Sequence, residues 1–290
     1  MDRKKIYPSY MLILPLLVFG IFFVLPSTIG YGYAFTDWSS YIQDISFVGI
    51  ENFIEIFKNR TVPIAFVNTL IFAIAKTVIV TVLGFVFAVI LNRKLKTRNA
   101  LRTVYFIPAI FSALVVGLIF NALFEGRNGT INSLLNTIGL SGLAKQWLGY
   151  RWSAVFVISL AELWRNLGYA IVITLAGLQS VPAEYLEAAK VDGASGWQLF
   201  KNITLPLIMP SVNVNILFSL IYGLKMFDLV YVMTGGGPGH DTETFGTLIM
   251  NEMSAGRYSQ SVAINLIFTI ILVAAAIVYQ KYSERWEYIE

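Results

Sequence analysis

Six runs of mostly apolar residues, each more than twenty long, set the terms on which this chain can fold: 10–33, 64–92, 103–124, 153–178, 207–233 and 260–282. About 20 such residues are what one helix needs to cross the hydrocarbon core of a bilayer. The remainder is too short to bury a core of its own. Only 13% of the residues are charged, against roughly 25% in a soluble domain. The expectation is an all-α integral membrane protein with six transmembrane helices. It forms one transmembrane domain over residues 1–290, with no soluble second domain. The first run reaches about Tyr33 and has no small-x-small cleavage site, so it reads as a retained span and not as a signal peptide.

An even number of spans places both termini on one side. Basic residues gather on the cytoplasmic side of a membrane protein. The termini and the loops on their side hold twelve Lys and Arg, among them Arg3, Lys4, Lys5, Arg93 and Lys94. The opposite side holds six, and Lys76, Arg165 and Lys225 fall inside spans. Both termini are therefore expected in the cytoplasm of a multi-pass protein in the cytoplasmic (inner) cell membrane. The net charge of +4 is explained by this topology and gives no reason to expect nucleic acid.

Little in the sequence suggests catalysis. There are no cysteines and one histidine, His240, so thiolate or poly-histidine metal sites are not expected. No G-x-x-x-x-G-K-[ST] phosphate loop occurs. Gly193-Ala-Ser195-Gly196 matches a string found in intramembrane serine proteases. Ser195 and His240 are expected on opposite faces of the membrane, however, and a Ser–His pair has to touch.

One stretch departs from the apolar pattern. Residues 180–206 form the one long polar, helix-prone loop, and the charge count puts it in the cytoplasm. Pro182 suits a helix start and Glu184 its first turn. Tyr185, Ala188 and Ala189 share a face. Asp192-Gly193 ends that helix. Ser195 with Gln198 fits a capping box for a second short helix, which Pro206 is expected to stop.

Glu187-Ala188-Ala189, Asp192-Gly193-Ala194 and then Ile203, Leu205 and Pro206 resemble the EAA loop of ATP-binding-cassette importer permeases. Phe47-Val48-Gly49-Ile50-Glu51-Asn52-Phe53, Asn68-Thr69-Leu70 and Leu175-Ala176-Gly177-Leu178-Gln179 are similar to sugar-importer permeases. So is the stretch from Lys225 through Asp228 and Tyr231 to Pro238. It is similar above all to the first permease of the pair in carbohydrate and glycerol-phosphate importers. The resemblance implies a type I importer transmembrane domain that moves a carbohydrate, expected to be an oligosaccharide, by alternating access. It implies a second homologous permease subunit, two ATPase subunits and an extracytoplasmic solute-binding protein. ATP and magnesium would sit on the ATPases and no cofactor on this chain, which is a transport subunit and not an enzyme. Coupling to the ATPase would fall to Glu184, Glu187, Ala188, Ala189, Asp192 and Gly193. The sequence lacks the large extracytoplasmic domain and extra N-terminal spans of the maltose-type subunit, which argues against maltose.

Polar residues inside spans mark a pathway or a structural pair, because charge in lipid is costly. Glu162 and Arg165 share a helical face, flanked by Asn166. Lys225 and Asp228 are again three apart, with Tyr222 and Tyr231 nearby. Aromatic faces suit the C–H faces of a pyranose, and amides and carboxylates suit its hydroxyls. Asn213 and Asn215 are two apart, so at most one faces the path. The path candidates are Glu162, Arg165, Asn166, Asn213, Tyr222, Lys225, Asp228 and Tyr231. Lys76, in mid-span, is expected to meet a carboxylate or carbonyl of another helix. The competing reading is a self-contained secondary transporter or channel, working through Glu162 and Asp228. It leaves the EAA loop without a purpose.

Overall fold

A computed structural model describes residues 9–93 and 96–287. Arg3, Lys4, Lys5 and Lys94, part of the charge count above, lie outside the described residues. The chain divides into two compact units. One combines the first sixty residues with Ile249–Ile270, and the other combines Thr61–Leu248 with the segment from Ile271 onward. The helices are α1 (Tyr10–Phe35), α2 (Glu51–Lys58), α3 (Thr61–Leu91), α4 (Arg98–Ile110), α5 (Ala113–Leu123), α6 (Thr130–Thr137), α7 (Arg151–Ser180), α8 (Ala183–Val191), α9 (Gly196–Leu224), α10 (Asp228–Met233), α11 (Phe245–Ser254) and α12 (Tyr258–Glu287). Among the described residues, five helices, α1, α3, α7, α9 and α12, are long and apolar enough to cross a bilayer.

The third expected span, 103–124, is a broken one. Helices α4 and α5 meet at a bend of 98°. Pro108 forces a tight turn over Ile107–Ile110. Ser112 then turns extended, and its hydroxyl accepts from the Val115 N–H at 3.3 Å, so a fresh helix begins there. The fifth span also differs from its expected bounds. It ends at Leu224, and residues up to 233 form the separate helix α10. At its other end, Pro206 does not stop the helix. A wide turn over Phe200–Thr204 opens the ladder just ahead of the proline ring, and the helix runs on. Helix α1 uses the same device over Gly20–Val24, ahead of Pro26.

In the second unit, α3, α7 and α9 pack pairwise against one another. Small residues let the backbones close in, as is usual where lipid tails are as apolar as the side chains. A Cβ on Gly84 would stand 2.5 Å from the Ala170 Cβ, and one on Gly223 would stand 2.7 Å from the Ala73 Cα. Around one end of these helices Phe72, Val116, Phe120, Ile158, Leu229 and Val230 form a core. A smaller core of Ala88, Leu175, Leu178 and Ile208 lies around the other.

In the first unit, α1 leads into an extended turn. Asn52, buried at the start of α2, donates to the carbonyls of Ala34 and Thr36 at 2.8 and 2.7 Å. The short helix α2 is therefore fastened to the segment before it. Trp38 packs on Tyr258, and its carbonyl accepts from the Ser259 hydroxyl. Arg257 pairs with Glu252, and that hydrogen bond holds its guanidinium above the usual arginine range.

Candidate functional site

The polar residues of α3 and α7 meet at mid-helix. Lys76 stands fifteen residues from either end of Thr61–Leu91. Arg165 stands fourteen and fifteen residues from the ends of Arg151–Ser180. Lys76 Nζ lies 2.5 Å from Glu162 Oε1, both side chains 5% exposed. Arg165 Nη2 approaches the other carboxylate oxygen at 3.4 Å and is 22% exposed. Glu162 thus joins two cations, one tightly and one loosely. The interhelical partner expected for Lys76 is this carboxylate.

Beside this triad a cavity of about 450 Å³ opens between α3, the end of α4, α7 and α9. That is a volume suited to a small ligand. Lys76 and Arg165 face it, and Glu162 is not among its lining residues. Phe111, Tyr169, Phe218 and Tyr222 give it aromatic walls, and Asn166, Asn215 and Ser219 give it amides and a hydroxyl. Lys76 Nζ sits 5.5 Å from the centre of the Tyr222 ring, where the ring face attracts a cation. Asn166 is held by a bond from its amide to the Glu162 carbonyl, and Asn215 by bonds to the Ala170 carbonyl and the Thr174 hydroxyl.

Of the expected path residues, Arg165, Asn166 and Tyr222 line this cavity, and Glu162 stands behind it. Asn213 does not. Of the two asparagines on α9 it is Asn215 that faces the cavity, while the Asn213 carbonyl accepts from the Tyr279 hydroxyl. Lys225, Asp228 and Tyr231 are also absent from the lining. Lys225 is exposed at the break after α9, Asp228 lies in the first turn of α10, and Tyr231 packs on Phe227. Asn68 has another role. Its amide spans the carbonyls of Asp241 and Glu243, and its oxygen accepts from Arg151, tying α3 to the glycine-rich segment.

The loop of residues 180–206 has the helix–turn–helix form expected. The Gly193 N–H bonds to the Lys190 carbonyl and the Ala194 N–H to that of Ala189, with Gly193 at φ +78°. This is a Schellman end, in which the reversed backbone favours glycine. The Ser195–Gln198 capping box has both of its bonds. Glu184, Glu187, Ala188, Asp192 and Gly193 are exposed, and Ala189 is buried within the chain itself. Its small size therefore serves this chain's own packing. Val191 is 88% exposed and Trp197 69%, an apolar surface on an otherwise polar loop.

The profile of binding-protein-dependent transport system inner membrane components matches residues 80–286. The trehalose/maltose transport system permease protein MalF of Thermococcus litoralis is 34% identical, over 94% of this chain and 92% of its own length. The multiple sugar-binding transport system permease protein MsmF of Streptococcus mutans is 34% identical, over 99% of this chain and all of its own. A chain of a bacterial alginate ABC transporter, solved with an alginate pentasaccharide-bound periplasmic protein, superposes with a TM-score of 0.83. The superposition covers 96% of this chain and 94% of that one, at 22% identity.

Proposed function

This chain belongs to the family of binding-protein-dependent transport system inner membrane components, and we propose that it is the permease subunit of an ATP-driven carbohydrate importer. It is a multi-pass membrane transport subunit and not an enzyme. Its relatives' names speak of maltose, trehalose and multiple sugars, and the neighbouring structure of alginate. In this reading the cargo is an oligosaccharide, handed over by an extracytoplasmic binding protein. It passes between this chain and a second homologous permease.

The observation that carries the coupling half of the proposal is the exposed apolar surface at Val191 and Trp197 on the EAA loop. Apolar surface of this kind marks a partner's seat. The partner is the ATPase, which holds the ATP and magnesium. Its closure pushes on α8, and α9 transmits the push because it runs unbroken from the loop to the cavity wall. The spans then alternate between inward-facing and outward-facing states. Glu184 and Glu187 offer carboxylates to basic groups of the ATPase, and Asp192-Gly193 keeps the turn low enough to approach. The positive-inside count supports a cytoplasmic loop and cytoplasmic termini.

The test is mild solubilisation of the tagged chain from its own membranes, followed by mass spectrometry. Stoichiometric recovery of a second permease and a P-loop ATPase supports the proposal. Recovery of the chain alone, or as a homo-oligomer, overturns it in favour of a secondary transporter.

A further inference from the structure

The charges around the cavity do not cancel. Among its lining residues the charged ones are Lys76 and Arg165. Glu162 is shared by both, on the side away from the lumen. Lys76 and Glu162 form a one-to-one ion pair that sums to zero. Arg165 adds a guanidinium. One positive charge is left, at the helix midpoint, where an uncompensated charge is most expensive.

The position of that charge is also informative. The Lys76–Glu162 contact is close and almost wholly buried, whereas Arg165 reaches Glu162 with one nitrogen at 3.4 Å and keeps part of its surface open to the cavity. A planar guanidinium bound at one nitrogen has further donors free for a second, two-pronged partner. Among the described residues that line the cavity, the other polar and aromatic groups are aromatic faces, two amides and a hydroxyl, with no carboxylate.

From this we propose, building on the carbohydrate-importer reading above, that the cavity is built for an anionic carbohydrate. Arg165 is the specificity-determining residue and takes a carboxylate, such as that of a uronate unit. Glu162 and Lys76 position it. Glu162 holds the guanidinium at the wall, and Lys76 neutralises Glu162 so that it does not repel the incoming anion. The aromatic walls take the pyranose faces, and Asn166, Asn215 and Ser219 take the hydroxyls.

The test uses the whole complex, purified from its own membranes and placed in nanodiscs. Binding of trigalacturonate and trimannuronate is measured by calorimetry beside neutral maltotriose and mannotriose. A uronate is expected to bind about ten-fold more tightly than its neutral counterpart at low salt, the scale of one well-placed ion pair. Salt should erode that advantage. Arg165→Gln should abolish it and Arg165→Lys should keep only part of it, because an ammonium cannot make the two-pronged contact, with recovery of the intact complex reporting that both variants assemble. Equal or tighter binding of the neutral sugars overturns the anionic assignment and leaves the carbohydrate reading standing. Binding of no sugar overturns both. An undiminished uronate preference in Arg165→Gln overturns the role given to Arg165.

Discussion

Lys76 Nζ, halfway along α3, lies 2.5 Å from Glu162 Oε1 of α7. The two helices are joined at the depth where an unpaired charge is least tolerable. Glu162→Ala leaves two cations facing each other and is predicted to cost about 3–5 kcal/mol. The check is thermal unfolding of the purified complex. Replacing both Lys76 and Glu162 by Met restores an apolar contact and should recover most of the loss.

Glu162→Gln combined with Arg165→Met keeps the volume of both side chains and removes their charge from the cavity wall. Uptake into proteoliposomes should fall by more than about ten-fold, a loss of roughly 1.4 kcal/mol or more of selective interaction. Lys76 is left without its carboxylate, so uptake is compared per amount of intact complex recovered. Wild-type uptake by this variant would show that the α7 face is structural only.

Gly193 adopts φ +78°, and an added Cβ would meet no neighbour. Gly193→Ala therefore costs only backbone strain, about 1 kcal/mol, and coupling should survive it. Proline cannot take that angle at all. Gly193→Pro with Glu187→Ala should let the ATPase turn over while uptake per ATP collapses, as read by parallel phosphate-release and uptake assays.

The chain has no cysteine, so a single Val191→Cys is a clean reporter. A membrane-impermeant maleimide should label it in inverted vesicles and leave it untouched in intact spheroplasts. ATPase subunits added back to stripped vesicles should protect it. Labelling from outside would reverse the proposed orientation.

Gly84 faces Ala170 where a Cβ would come within 2.5 Å. Gly84→Val should force α3 off α7, with an overpacking cost of about 1–3 kcal/mol and a lower unfolding temperature.

The long helices and the loop could be read from the sequence because each follows from a local rule. Apolar length gives the spans, the Asp192-Gly193 pair gives the turn, and Ser195 with Gln198 gives the cap. The break at Ser112 was missed because the residues around it are as apolar as a helix requires; Pro108 was the available signal. Pro206 misled for the opposite reason, since a wide turn ahead of it relieves its ring. The Lys76–Glu162 contact joins residues 86 apart in sequence, which no periodicity reveals. The cavity lies between α3, the end of α4, α7 and α9, so helical face alone does not decide between Asn213 and Asn215. It also drew Lys225, Asp228 and Tyr231 into a path whose described walls they do not line.

ATP hydrolysed on a partner is proposed to drive carbohydrate through this chain, and reconstitution is the decisive experiment. Complex purified from native membranes is placed in liposomes with its binding protein, and labelled oligosaccharide uptake is followed with and without ATP. The account predicts uptake only with ATP on the ATPase side, abolished by vanadate and indifferent to proton or sodium gradients. Gradient-driven uptake by this chain in the absence of any ATPase would contradict it.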